Sequence, residues 1–183
     1  TDGRKTAIGA TGETHPRNAM SLTNVVYNAT QNWANPVVTT LHAQGLIPMF
    51  GEFPLELGWS DHEAEILARF RNDAQYQSLF AAAYPGQTDP INADRVVKAI
   101  AAFESILISG NSPYDQATFQ GNRDAMSPAA RRGRELFFSE RMECFHCHGG
   151  FNFSQSVSHA GTTITQRDFF NNGLYNIGGT GDY

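Results

Sequence analysis

The 183-residue sequence predicts a mainly α-helical fold. Apolar residues recur at helical spacing in several windows, helix-starting and helix-stopping residues bracket those windows, and no run alternates with the period of a strand or repeats along the chain. In order, Ser60 with Glu63 three residues later predicts a capping box for a helix through Arg71, with Ile66, Leu67 and Phe70 on one face. Asn72 predicts the start of a second helix that runs to about Ala83 and is stopped by Pro85. Between Ile91 and Ser109, Val96, Val97, Ile100, Phe103 and Leu107 form an apolar stripe opposite Asp94, Arg95, Lys98 and Glu104, which predicts a core-facing helix. Residues 109–126, rich in Gly, Asn, Ser and Asp, predict a connection between two helical units. Ser127-Pro128, a cap followed by proline at the first helical position, predicts a helix through Leu136-Phe137-Phe138. Beyond residue 148 a glycine-rich, loop-like tail contains Asn171, Asn172, Gly173, Gly178, Gly179 and Gly181, and it reads as cut short.

The predicted helix from Pro128 delivers the chain to Cys144-Phe145-His146-Cys147-His148. This C-x-x-C-H spacing is that of covalent haem attachment: two thiols a helical turn apart add to the two vinyl groups of one porphyrin, and the adjacent imidazole reaches the iron. His148 is then the proximal ligand and His146 a spacer. With two cysteines in the chain a four-thiolate zinc site is excluded, while a Cys2His2 site drawing on His146, His148 or His159 stays open. A thiol redox pair needs a strand–helix–strand setting, whereas the flanks read helical before and glycine-rich after.

Length and apolar content suffice for one domain or two small ones. A formal charge of −5 and the absence of a Lys/Arg cluster argue against nucleic acid and against an anionic membrane surface. No apolar run reaches the length of a membrane span, and Thr1-Asp2-Gly3-Arg4-Lys5 resembles no signal peptide. Covalent haem attachment implies a periplasmic location. A six-coordinate haem needs a second axial residue, and no methionine follows His148; His159, Tyr175 and Tyr183 are the candidates downstream. The upstream Met20, Met49, Met126 and Met142 read as core filler. The iron is therefore five-coordinate, or its sixth ligand lies outside this chain.

Several motifs, in order and over nearly the whole length, resemble the bacterial di-haem cytochrome c peroxidase/MauG family. Arg17-Asn18-Ala19-Met20-Ser21-Leu22-Thr23-Asn24 is similar to the family's R-N-x-P-S-L-x-N segment, and Trp33 falls at the tryptophan of its W-D-G-R motif. Gln44, Pro48 and Glu56, the last within Pro54-Leu55-Glu56-Leu57-Gly58, follow its Q…P…P-x-E-M-G pattern. Ile100-Ala101-Ala102-Phe103-Glu104 and Asn111-Ser112-Pro113-Tyr114-Asp115 resemble the helix and linker joining its two haem domains. Gly133-Arg134-Glu135-Leu136-Phe137 and Phe151-Asn152-Phe153 resemble the surroundings of its second haem. Thr11-Gly12-Glu13 with His15-Pro16-Arg17 resembles the MbnH-like branch, whose members oxidise a partner protein.

The resemblance implies two cytochrome-c-like helical domains, both incomplete: residues 1–112 as the remainder of an N-terminal peroxidatic haem domain, and 113–183 as the first part of a C-terminal electron-transfer domain. It implies two haems c, with the first attachment motif just before residue 1 and the sixth ligand of the second haem beyond residue 183. Hydrogen peroxide then reacts at the first haem, and the haem on His148 stores or relays oxidising equivalents. On its own, this stretch is expected to show no peroxidase turnover. Glu56 resembles the distal glutamate that moves a proton between peroxide oxygens, with Glu52 as a rival because the spacing from Pro48 is longer than usual. Gln44 is implied to hydrogen-bond in the same pocket, and Pro48 to exclude a ligand from the open iron face. Trp33 is implied to relay electrons between haems, although Trp33-Ala34-Asn35-Pro36 lacks the acidic and basic partners of W-D-G-R. Asn18 matches a ligand of a calcium ion bound between the domains. His15 lies too close to Arg17-Asn18 for the family's loop ligand, which implies an open first haem.

Three functions compete. The first is a periplasmic oxidoreductase using hydrogen peroxide to oxidise a small redox protein or side chains of a protein substrate. The second is a single-haem electron carrier without catalysis, and the third a haem-free zinc or thiol module.

Overall fold

A computed structural model describes residues 3–33, 35–162, 164, 169 and 170. Among these the chain is mainly helical, and β structure is limited to isolated bridges. The helices are α1 (Leu41–Phe50), α2 (Glu63–Arg71), α3 (Ala74–Ala83), α4 (Ala93–Ser105), α5 (Pro113–Phe119), α6 (Pro128–Phe137) and the single turn α7 (Phe145–His148).

Local chemistry explains most of the boundaries. The Thr40 hydroxyl accepts from the Ala43 amide to start α1, Asn92 accepts from Arg95 to start α4, and Ser127 accepts from Ala130 to start α6. Two predicted starts differ. Ser60 does not cap α2, because its hydroxyl donates instead to the Phe50 carbonyl at 2.8 Å and ties the helix entry back to α1. Asn72 closes α2, and the cap of α3 is Asp73, whose carboxylate accepts from the Gln75 and Tyr76 amides. The predicted connection over 109–126 contains α5, opened by a reciprocal Ser112–Asp115 capping box with Pro113 at the first turn.

Helix α1 is not predicted from the sequence, since Gly45 and Pro48 interrupt its pattern. Gly45 serves packing: a Cβ there would lie 2.9 Å from Val97 Cγ1, so its absence lets α1 and α4 approach closely. Around that contact Met49, Trp59, Leu67, Phe80, Ile91, Val96 and Val97 form the main core, with Trp59 edge-on to Phe50 at 6.0 Å. The inward stripe of α4 also differs from the one predicted. Val96 and Val97 are buried, but Ile100 and Phe103 are exposed while Glu104 is half-buried. Glu104 lies two turns beyond Val97 and so shares its face.

A second cluster is aromatic. Phe153 meets Tyr114 of α5 at 4.7 Å and Phe137 of α6 at 5.7 Å, and Phe138 extends the cluster to Phe145 of α7. Residues 24–29 join this region to the core. Asn24 donates its amide to the Leu107 carbonyl, Ala29 donates to Ser156, and Tyr27 accepts from Ser158. Among the described residues no helix is long and apolar enough to cross a membrane.

Candidate functional site

One cavity of about 400 Å³ gathers Asn18, Trp33, Gln44, Pro48 and Glu56, residues spread over nearly forty positions of sequence. Gln44 and Pro48 share it because they lie one turn apart on α1. Proline has no N–H, so the helical bond from residue 48 to the Gln44 carbonyl cannot form. Glu56 sits on a loop suspended from two sides: Leu57 donates its amide to the Pro48 carbonyl at 2.9 Å, and the Glu56 carbonyl accepts from Ala10 at 2.7 Å. Glu52, the rival carboxylate, is exposed and lines a different cavity with Phe53, His62 and Arg69.

The loop over residues 7–17 closes the wall. It folds back on itself through His15 N–H to the Ala7 carbonyl at 2.8 Å and Gly9 N–H to Glu13 at 2.8 Å. Gly9 lies against the Glu56 loop so tightly that a Cβ would fall 1.9 Å from the Leu55 carbonyl oxygen. This contact carries His15 into the cavity, with Nε2 3.5 Å from Glu56 Oε1. The Arg17 amide lies 3.1 Å from His15 Nδ1. Nδ1 also lies 3.2 Å from the Arg17 carbonyl; in the tautomer where Nδ1 accepts from the Arg17 amide, the ring proton is on Nε2 and faces the carboxylate. His15, which the sequence leaves without a role, is thus a direct neighbour of Glu56.

Trp33 is 40% exposed, and its indole N–H donates to the Asn18 carbonyl at 3.1 Å. That bond fixes the ring against the segment from Arg17 to Leu22, which also lines the cavity. Glu104 completes the lining from α4, and burial raises its carboxyl above the ordinary glutamate range. The helical pattern with Val97 could have revealed Glu104, had charge alone not placed it outside.

Cys144, Cys147 and His148 lie apart from this cavity, on and just before α7. Backbone bonds from Cys147 and His148 to the Cys144 carbonyl, at 3.3 and 2.9 Å, wind the motif into one turn and keep both thiols on it. Both cysteines are free, Cys147 exposed and Cys144 partly so. His148 Nδ1 lies 3.3 Å from the Phe153 carbonyl. A carbonyl can only accept, so this pairing puts the proton on Nδ1 and leaves the Nε2 lone pair for a metal. Around the turn, Leu136, Phe138, Met142, Phe151 and Phe153 are exposed, an apolar surface suited to a porphyrin face. These residues fit covalent haem.

The alternatives fit less well. The described His, Cys, Asp and Glu donors that converge are Glu140, Glu143 and His146, all exposed, and neither cysteine is among them. His159 has both ring nitrogens engaged, with the Gly161 amide and the Thr162 hydroxyl. Tyr175 and Tyr183 lie outside the described residues. Met49 and Met126 are buried, Met20 lines the cavity, and Met142 is 54% exposed.

Comparison with known proteins adds to this geometry. The profile of the di-haem cytochrome c peroxidase family matches residues 1–124. Cytochrome c peroxidase Ccp of Escherichia coli K12 is 33% identical over 149 residues, covering 81% of this chain and 30% of that protein. Methylamine utilization protein MauG of Methylophilus methylotrophus is 25% identical over 159 residues, covering 86% and 45%. The crystal structure of a MauG-like protein associated with microbial copper homeostasis superposes with a TM-score of 0.88 at 41% identity, covering all of this chain and 52% of that one. The chain therefore spans about half or less of each relative.

Proposed function

Given that the chain belongs to the di-haem cytochrome c peroxidase family, we propose that it is part of a periplasmic di-haem c oxidoreductase that uses hydrogen peroxide to oxidise a small redox protein or side chains of a protein substrate. The convergence of Trp33, Gln44, Pro48 and Glu56 on one cavity carries this reading, because residue types from separate motifs have little reason to meet in a merely packed core. Residues 1–112 form the peroxidatic side and residues 113–183 the electron-transfer side. When bound, the haems supply the redox chemistry.

The chain's own groups hold and move protons. The Glu56 carboxylate takes a proton from one peroxide oxygen and returns it to the leaving oxygen, so that two electrons and two protons convert peroxide to two waters. His15, its Nε2 3.5 Å from Glu56 Oε1, holds the carboxylate in place. Gln44 orients the peroxide, and Pro48 keeps a protein ligand off the reacting face. Trp33, fixed by its bond to Asn18, would relay electrons from the haem that Cys144, Cys147 and His148 would hold toward the peroxide site. The Asn18 side chain would supply one oxygen ligand to a calcium ion. Among family readings, 41% identity to the MauG-like protein supports the MauG-like one.

Haem-to-protein stoichiometry of the native gene product is the first test. Two haems support the enzyme, one supports the single-haem carrier, and none overturns both. In the haem-loaded protein, Glu56→Gln is expected to lower peroxide turnover by about 10²- to 10⁴-fold with haem content unchanged. Wild-type turnover in that variant refutes the role of Glu56.

A further inference from the structure

Asn24 lies at the centre of a hydrogen-bond route from the first half of the chain to His148. It is 7% exposed, with its backbone in the left-handed region at φ 58. Its side-chain Oδ1 accepts from the Ser109 amide at 2.7 Å, and its Nδ2 donates to the Ser109 carbonyl at 2.8 Å and to Asn152 Oδ1 at 3.0 Å. All the hydrogen-bonding capacity of the Nδ2 group is thus engaged.

The Asn152 end of this route is a strained turn. Asn152 and Phe153 both have positive φ, 60 and 52, a conformation that non-glycine residues adopt only when their surroundings impose it. Its product is the Phe153 carbonyl, 3.3 Å from His148 Nδ1. Asn24, 128 residues earlier, supplies the bond that holds the first residue of that turn.

We infer that Asn24 and Asn152 are positioning residues for the proximal imidazole, their amide pair fixing the turn that presents the Phe153 carbonyl to His148. The inference rests on haem attachment at Cys144 and Cys147. A firm Nδ1–H···O bond makes the imidazole a stronger electron donor, which favours ferric over ferrous iron and lowers the reduction potential. The pair thereby ties the potential of this haem to the packing of residues 24–29 against residues 107–109.

Asn152→Gly tests this directly, because glycine keeps the left-handed backbone accessible and removes only the amide. In the haem-loaded native protein, the midpoint potential of the His148 haem should rise. The His148 Nδ1 proton, followed by NMR, should exchange about tenfold faster, as expected for the loss of one hydrogen bond. Asn24→Asp reads the same bond from the other side: it keeps the acceptor for the Ser109 amide and deletes the donors to the Ser109 carbonyl and to Asn152. An added carboxylate by itself lowers a haem potential, so a rise in this variant has bond loss as its cause. If Asn152→Gly does not fold, Asn24→Asp still decides the matter. A potential and exchange rate unchanged in Asn152→Gly, with only thermal stability reduced, overturn the inference, as does a wild-type Nδ1 proton exchange rate in Asn24→Asp. Wild-type protein without haem overturns the attachment reading itself; full haem content with unmoved potentials overturns the coupling alone.

Discussion

Replacing Gly9 with alanine places a methyl carbon 1.9 Å from the Leu55 carbonyl oxygen and 3.3 Å from Glu56 Cα. Gly9 is not among the residues with positive φ, so backbone strain contributes nothing and the effect is steric. Restoring even a 3.0 Å contact separates the 7–17 loop from the Glu56 loop by about 1.1 Å. The Ala10 N–H to Glu56 carbonyl bond and the His15–Glu56 contact both span that seam. A misplacement near 1 Å costs on the order of 10²-fold in rate, equivalent to about 2.7 kcal/mol of transition-state stabilisation. The assay is kcat/KM for peroxide in the haem-loaded protein, with haem content and Tm measured alongside. Gly133→Ala is the control, since a Cβ there meets nothing within 4 Å and alanine favours helix. If Gly9→Ala keeps the turnover of Gly133→Ala, close approach at Gly9 does not position Glu56, and the reasoning fails.

Two further outcomes are expected. Burial raises the Glu104 carboxyl, so in the window above its unfolded pKa the folded state binds the proton more tightly and stability falls as pH rises. Glu104→Gln should therefore raise Tm at pH 7 more than at pH 4; equal shifts at both values would exclude titration of Glu104 as the cause. Ser112→Ala removes the cap of α5 and its bond to Asp115, at a cost of about 1 kcal/mol, and should lower Tm by roughly 2–4 °C. An unchanged Tm would show that Pro113 and the Tyr114–Phe153 contact alone hold α5.

The helices legible in the sequence were α4, through its apolar spacing, and α6, through its Ser127-Pro128 start, while α3 was legible to within one residue, its cap being Asp73 rather than Asn72. Helix α1 was not, because Gly45 and Pro48 are conventional breakers whose purposes are tertiary: a close approach to Val97, and a place in the cavity wall. Ser60 misled because a hydroxyl three residues before a glutamate satisfies the capping pattern whether or not a carbonyl such as that of Phe50 captures it first. The cavity residues Trp33, Gln44, Pro48 and Glu56 were legible through resemblance, since no local periodicity relates them. His15 and Asn24 were not, because their partners lie on distant segments that only the folded chain brings near.

The bonds that hold residues 24–29 set an order of events. Their partners are the Leu107 and Ser109 backbone, then Asn152, Ser156 and Ser158, so the segment gains its last contacts only when a chain more than a hundred residues longer has formed. Closing so long a loop costs entropy before any bond rewards it. Until then Asn152 and Phe153 have no clamp, and the turn at Cys144 to His148 is held by its local bonds alone. Once the Asn24 amide engages Asn152, the turn that carries the Phe153 carbonyl is clamped from a segment 128 residues away.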